Sequence, residues 1–260
     1  MRFGYRGITI KLMKLFKNIV ASFTVLATVF SLLTSQALAT GFYTAGNTGY
    51  DISYPQGGNS ASYPTTPFNF GVVGVTSGRA FNDNPYLSQQ FAWAQQGNAA
   101  TPSLYMNLNA PVGSTVKGNT SGPQNCKKAD KVCQAFNYGW NAAAHSYSYA
   151  NSQLASSVMW WLDIETGNSW SSTKAINAAT INGALSFFTQ NGIQAGVYSN
   201  SSMWNTIVGT TFTQAVPNWL AGNNTSSNFS TLCNTPFTPN GTVYLLQYAS
   251  GGFDADYACQ

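Results

Sequence analysis

The sequence is short of charge. Only 7% of its 260 residues are Asp, Glu, Lys or Arg, there is one histidine, and cysteine occurs four times. Each scarcity excludes something. A nucleic-acid partner needs a clustered basic face, and the one cluster present (Lys127, Lys128, Lys131) lies in a Gly-, Pro- and Ser-rich stretch that reads as a solvated loop. A Ser-His-Asp triad would have to use His145, which sits in the middle of an Ala-rich helical pattern, away from any strand end. No CxxC pair stands beside that histidine, so no metal centre is expected. No P-loop, GxGxxG or HExxH is present, and no cofactor is expected. The lack of charge is not disorder, because 44% hydrophobic and 14% aromatic residues can bury a core. Asn, Ser, Thr, Gly and Tyr take the place of charge, which suits an extracellular protein with a neutral, Tyr-rich surface.

The basic residues are also unevenly placed. Arg2, Arg6, Lys11, Lys14 and Lys17 open the chain, an apolar run follows over 19–33, and Ala37-Leu38-Ala39 supplies small residues at signal-peptidase spacing. That order predicts a secretory signal peptide over 1–39 and a mature domain over 40–260. The run is short for a membrane span, so no membrane association is expected after cleavage. Removing it leaves six basic and seven acidic residues, a net charge of −1. The four cysteines all fall in the mature part, and an even count in an exported chain predicts two disulfides. Three pairings are possible; a local Cys126–Cys133 clip and a Cys233–Cys259 staple on the C-terminus are preferred.

The regular segments alternate. Strands are predicted at 50–53, 70–76, 103–108, 158–165, 195–199, 216–221 and 243–248. Helices are predicted at 84–96 (with Asn82 or Asp83 as N-cap), 135–154 and 174–191 (capped by Ser172 or Thr173, ended by Gly192). The stretch 110–134 reads as a long loop. Strand 158–165, helix 174–191 and strand 195–199 make a βαβ crossover, which implies parallel strands. Fold class is therefore α/β: a compact, single-domain TIM-like barrel or a doubly wound sheet, with the barrel preferred.

A chain this poor in charge does not use acids as generic solubilisers. Of seven mature carboxylates, Asp51, Asp163 and Glu165 sit in or at the end of apolar strands, and Asp256 follows the last one. Such placement is costly unless the group is paired or useful. Asp163 and Glu165 are two apart, so they share a strand face, and the C-terminal strand ends of a barrel form its active-site rim. Two carboxylates there repel, which raises one pKa and divides labour between an acid and an ionised partner, as glycoside cleavage requires. Trp161 shares that inward face and is a candidate to stack on a sugar; Trp160 is assigned to the core.

These motifs together resemble glycoside hydrolase family 25 lysozymes. Gly49-Tyr50-Asp51-Ile52-Ser53 with Gln56 resembles their opening strand, and FGVVGVTSGRAFNDN over 70–84 their second. Leu162-Asp163-Ile164-Glu165 is similar to their DxE strand, Gly196-Val197-Tyr198-Ser199 with Trp204 to the next, and Trp219-Leu220-Ala221 to the one after. Gln247-Tyr248 followed by Asp254 or Asp256 is similar to their closing element. The likeness runs in order over nearly all of 49–257. It implies a barrel that cleaves the β-1,4 bond between N-acetylmuramic acid and N-acetylglucosamine. Glu165 would be the general acid, and Asp163 the charge stabiliser, nucleophile or orienter of an N-acetyl group. Asp51 and Asp256 would hold the site and contact sugar, while Tyr198 and Gln247 would line the groove. There are departures. The third strand (Leu104-Tyr105-Met106-Asn107) lacks the family's YH pattern, the loop with Cys126 and Cys133 is an insertion, and Arg79 stands where no family residue is expected; it is counted with Asp254 among the candidate substrate contacts. The expectation is a monomeric, secreted or cell-wall-associated glycosidase acting on peptidoglycan or a related polysaccharide. The alternative is a non-catalytic carbohydrate-binding or cell-surface protein on the same barrel.

Overall fold

The computed structural model describes residues 42–58, 62–97, 101–113, 120–222 and 224–260. The signal peptide expected over 1–39 lies outside the described residues. Eight strands close a barrel in sequence order: β1 Thr48–Ile52, β2 Phe70–Gly74, β3 Ser103–Asn107, β4 Met159–Asp163, β5 Gln194–Ser199, β6 Pro217–Leu220, β7 Thr242–Ser250 and β8 Phe253–Ala258. β1 to β7 pair in parallel, as the crossover predicts. β8 does not. It turns back on β7 through Gly251 and Gly252, both at positive φ, and runs antiparallel to both β7 and β1. The expectation of an all-parallel sheet is corrected at this one strand, and Asp254 and Asp256 lie in it rather than after the last strand.

The helices are α1 Leu87–Ala94, α2 Lys131–Ser152, α3 Lys174–Gln190, α4 Ser201–Ile207 and α5 Phe229–Leu232. The expected start of α1 at Asn84 is wrong. Asn84 is fully buried, and its side-chain amide donates to Gly74 O and Gln90 Oε1, both at 2.7 Å, so it ties the loop to both β2 and α1 from a position ahead of the first helical turn. α2 begins earlier than expected because Asp130 Oδ1 accepts from the Cys133 backbone N–H at 3.0 Å, an N-cap that pulls Lys131 and Cys133 out of the loop. Both preferred disulfides, Cys126–Cys133 and Cys233–Cys259, are formed. Among the described residues no helix is long and apolar enough to cross a membrane.

Side chains alternate between two cores. Outward-facing Val73, Leu104, Met106, Trp160, Leu162 and Ile164 pack under the helices. Inward-facing Phe70, Val72, Met159, Trp161, Trp219 and Leu245 fill the lower barrel. Two contacts depend on the absence of a side chain. A Cβ on Gly196 would stand 2.4 Å from the Trp161 ring, so that glycine makes the room for the indole. Between α2 and α3, a Cβ on Gly139 would stand 1.8 Å from Thr180 O and one on Gly183 2.0 Å from Phe136 O, so the two helix backbones approach closely there.

Candidate active site

Above the apolar floor, the inward positions at the C-terminal ends of the parallel strands become polar. Strand register decides who meets whom. Asn107 pairs with Asp163 and Asp163 with Tyr198, while Asp51 pairs with Asp254 and Gln247 with Asp256. Directly opposed residues point to one face, so six strands deliver one polar layer. Glu165 lies two residues beyond Asp163, just past the end of β4 and partly exposed at the mouth. Trp170 Nε1 donates to Glu165 O at 2.7 Å and Asn168 Nδ2 to Asp163 O at 3.3 Å, which fixes the turn that carries it.

Two hydrogen-bonded chains hold the layer. Tyr198 Oη donates to Gln247 Oε1 at 2.7 Å, and Gln247 Nε2 donates to Asp51 Oδ2 at 3.0 Å. Thr76 Oγ1 donates to Asn107 Oδ1 at 2.8 Å, and Asn107 Nδ2 donates to Asp163 Oδ2. Deeper still, Trp219 Nε1 donates to Asp256 Oδ1 at 2.7 Å. Two carboxylate oxygens in this cluster, Asp163 Oδ1 and Asp256 Oδ2, are buried and receive no N–H or O–H from the described residues. An ionised carboxylate left so is costly. Each of these residues instead has a second carboxyl close by, Glu165 beside Asp163 and Asp51 beside Asp256, and each neighbour raises it. Two carboxyls crowded together out of water favour their protonated forms, so the cluster is two carboxyl pairs that hold protons above the usual carboxylate range.

The electrostatics follow from that enclosure. Burial, and then the charge of Glu165, hold Asp163 well above the usual carboxylate range. Glu165 is raised by burial and, less, by Asp254, while its bond to Asp163 works in the opposite direction. Burial pushes Asp51 up to about 8 against the lowering effect of Gln247, with Asp254 and Glu165 adding to the rise. Asp256 is held well above its ordinary value by burial and by Asp51. Asp254 is raised by burial. A proton retained near neutrality beside an ionisable partner is the equipment of general acid–base catalysis. Among the described residues no three His, Cys, Asp or Glu side chains are grouped as a metal site.

Asp51, Asp163, Glu165, Tyr198, Gln247 and Asp254 are thus brought together. Two residues expected to touch substrate are not available to it. Trp161 is fully buried in the barrel floor, stacked edge-on against Trp219 at 5.8 Å, with its indole N–H donating to Tyr43 Oη at 3.0 Å. Asp256 is fully buried beneath Asp51 and spends one oxygen on Trp219. Both face inward, but below the mouth. Arg79 stands apart from the carboxylates, exposed on the loop after β2. Asn107 was not anticipated. Its signal was present in the alternation of β3, where Ser103, Tyr105 and Asn107 share the inward face and Asn107 ends level with Asp163.

Residues 131–236 match the family profile described as Lys-1, lysozyme-like protein 1. That segment runs from α2 to α5 and includes Asp163, Glu165 and Tyr198. No curated protein matches the chain. Among solved structures it is similar to the modular autolysin LytC from Streptococcus pneumoniae (15% identity, covering 81% of this chain and 45% of that one, TM-score 0.46). It is similar also to the catalytic domain of endolysin ply40 from bacteriophage P40 of Listeria monocytogenes (16% identity, 83% and 94% covered, TM-score 0.45). A third is the modular Cpl-1 endolysin, solved with a peptidoglycan analogue (16% identity, 83% and 55% covered, TM-score 0.44). The chain spans less than half the length of the autolysin.

Proposed function

We propose that the protein is a secreted glycoside hydrolase acting on peptidoglycan or a related N-acetylated polysaccharide, with Glu165 as general acid and Asp163 and Asp51 in support. The observation that carries this reading is the adjacent Asp163 and Glu165 carboxyls, both raised by burial, at the C-terminal end of β4, where barrel active sites lie. The lysozyme-like match over the same segment and the two disulfides of an oxidising compartment agree with it.

The pair also narrows the mechanism. Carboxyls that flank a glycosidic bond stand about 5 Å apart in retaining enzymes and further in inverting ones. Asp163 and Glu165 stand two residues apart on one strand face, so they lie on the same side of a sugar rather than flanking it. Asp163 is therefore read as the orienter of a substrate N-acetyl group, which itself supplies the nucleophile. Asp163 passes its proton to Glu165, the more open of the two, and Glu165 delivers it to the glycosidic oxygen. The Asp163 carboxylate, held by Asn107, then steadies the charge that develops on the sugar. Asp51, fixed by Gln247 and Tyr198, walls the opposite side.

The test is release of reducing ends from purified peptidoglycan by the protein beside Glu165→Gln. The variant is expected to lose about 100-fold or more, the scale of a general acid. No release by the wild type from several wall types and from chitin-like polymers would sink the hydrolase reading. A second reading, a sugar-binding groove without turnover, draws on the burial of Asp51 and Asp163, 8% and 5% exposed. It predicts oligosaccharide binding with no products.

A further inference from the structure

Beside the carboxylates lies a pocket of opposite character. Its volume is about 180 Å³, and Arg79, Asn82, Asn109, Tyr138, Asn168 and Ser169 are among the residues that line it. It adjoins the active site through two bridges of chain: Asn168 donates to the backbone oxygen of Asp163, and Asn109 follows two residues after the Asn107 that holds the Asp163 side chain. No carboxylate lines the pocket.

What the walls offer is donors. Arg79 takes part in no salt bridge among the described residues. Tyr138 is 1% exposed; its hydroxyl oxygen accepts from Asn109 Nδ2 at 2.8 Å, which leaves the hydroxyl proton to be given elsewhere. Burial raises its pKa, so that proton stays in place at neutral pH. A buried hydroxyl proton and an unpaired guanidinium facing one concavity call for an acceptor that carries negative charge.

The loop that presents Arg79 is held rigidly. Phe81 lies at φ 62°, a conformation a bulky residue adopts only when its surroundings impose it. Here its ring packs on Tyr138 at 5.2 Å and on His145 at 5.5 Å. His145 Nε2 bonds Asp83 Oδ1 at 2.8 Å, and the Ala80 N–H donates to Asn109 Oδ1 at 3.2 Å. The chain is thus anchored at Ala80, Phe81 and Asp83, directly after Arg79. An acidic mouth repels an anionic chain, so a fixed cation beside it sets which substituents are admitted and in what register.

We propose that this pocket is a subsite for the free carboxylate of a muramyl sugar that carries no stem peptide, paired with the Arg79 guanidinium and hydrogen-bonded by Tyr138. The proposal rests on the hydrolase reading for its place beside the cleaved bond. The test compares kcat/KM on peptide-free glycan chains that carry the N-acetylmuramic carboxylate and on the same chains converted to the carboxamide. The wild type is expected to prefer the carboxylate about tenfold, the scale of one charge-assisted pair. Arg79→Gln is expected to bring the ratio close to one, with Arg79→Lys between them. A wild type that does not discriminate, or an Arg79→Gln that keeps the full preference, overturns the subsite. If the wild type cleaves neither substrate, the hydrolase reading fails alone and the subsite is decided by calorimetry. Binding of N-acetylmuramic acid tighter than N-acetylglucosamine, with the difference lost in Arg79→Gln, supports it; equal binding or none overturns it.

Discussion

Raising the pH from 5 to 8 should weaken this fold, and Asp51 gives the size of the effect. Its carboxyl is held at about 8 in the folded protein, chiefly by burial. In the unfolded chain an aspartate titrates near 3.9. Over most of the interval the native state therefore keeps a proton that the unfolded state has released. A group whose folded pKa is raised contributes stability that is complete below its unfolded pKa and lost as pH rises through the folded one. Linkage puts the loss from this one proton on the order of 4 kcal/mol between pH 5 and 8. That is a large part of the 5–15 kcal/mol typical of a folded domain. Asp163 and Asp256 are raised in the same direction and add to the slope. The perturbation that isolates Asp51 is Asp51→Asn. The amide keeps an oxygen for Gln247 Nε2 and does not titrate. Urea unfolding of the disulfide-intact protein at pH 5, 6.5 and 8 should show wild-type stability falling with pH, and the variant falling less by about one proton's worth, ~1.4 kcal/mol per pH unit. Wild-type stability that is flat or rises over this range, or an Asp51→Asn variant with an unchanged slope, would refute the retained-proton account.

Two further outcomes test the architecture beneath the site. Trp161→Ala should cost about 3–5 kcal/mol by thermal unfolding, the cost of emptying a large core position, because the indole fills the barrel floor and bonds Tyr43; a loss below about 1 kcal/mol would return that residue to the surface. Gly139→Ala should destabilise by about 1–3 kcal/mol despite alanine's better helix propensity, since the new Cβ would meet Thr180 O at 1.8 Å and push α2 from α3. A stabilised Gly139→Ala would mean the two helices are not in that contact.

Local signals made much of this protein legible. The β4–α3–β5 crossover was readable because a strand run and a helix period followed one another with a glycine stop between helix and strand, and the local disulfide pairing followed from cysteine spacing. β8 was missed although its sign was present: a Gly-Gly pair between Ser250 and Phe253, a turn that suits two positive φ angles. The start of α1 was misplaced because Asn84 bridges Gly74 of β2 and Gln90 of α1 from the loop between them.

The sequence by itself determined which side chains face inward, since that depends only on a period of two along each strand, and it marked Asp51, Asp163 and Glu165 by placing scarce charge in apolar runs. It did not determine depth. Trp161 and Asp163 share a face, yet one is floor and the other mouth, because height in a barrel is set by closure and by the register of β3 and β5 against β4. Nor did it reveal that Asp256 would lie under Asp51, or that Asn107 would hold Asp163. Those partners sit 205 and 56 residues apart along the chain, and only the pairing of strands brings them together. The chemistry of the pairs depends on that closeness: a carboxyl keeps its proton when another carboxyl is pressed against it out of water, a condition that arises only once the barrel closes.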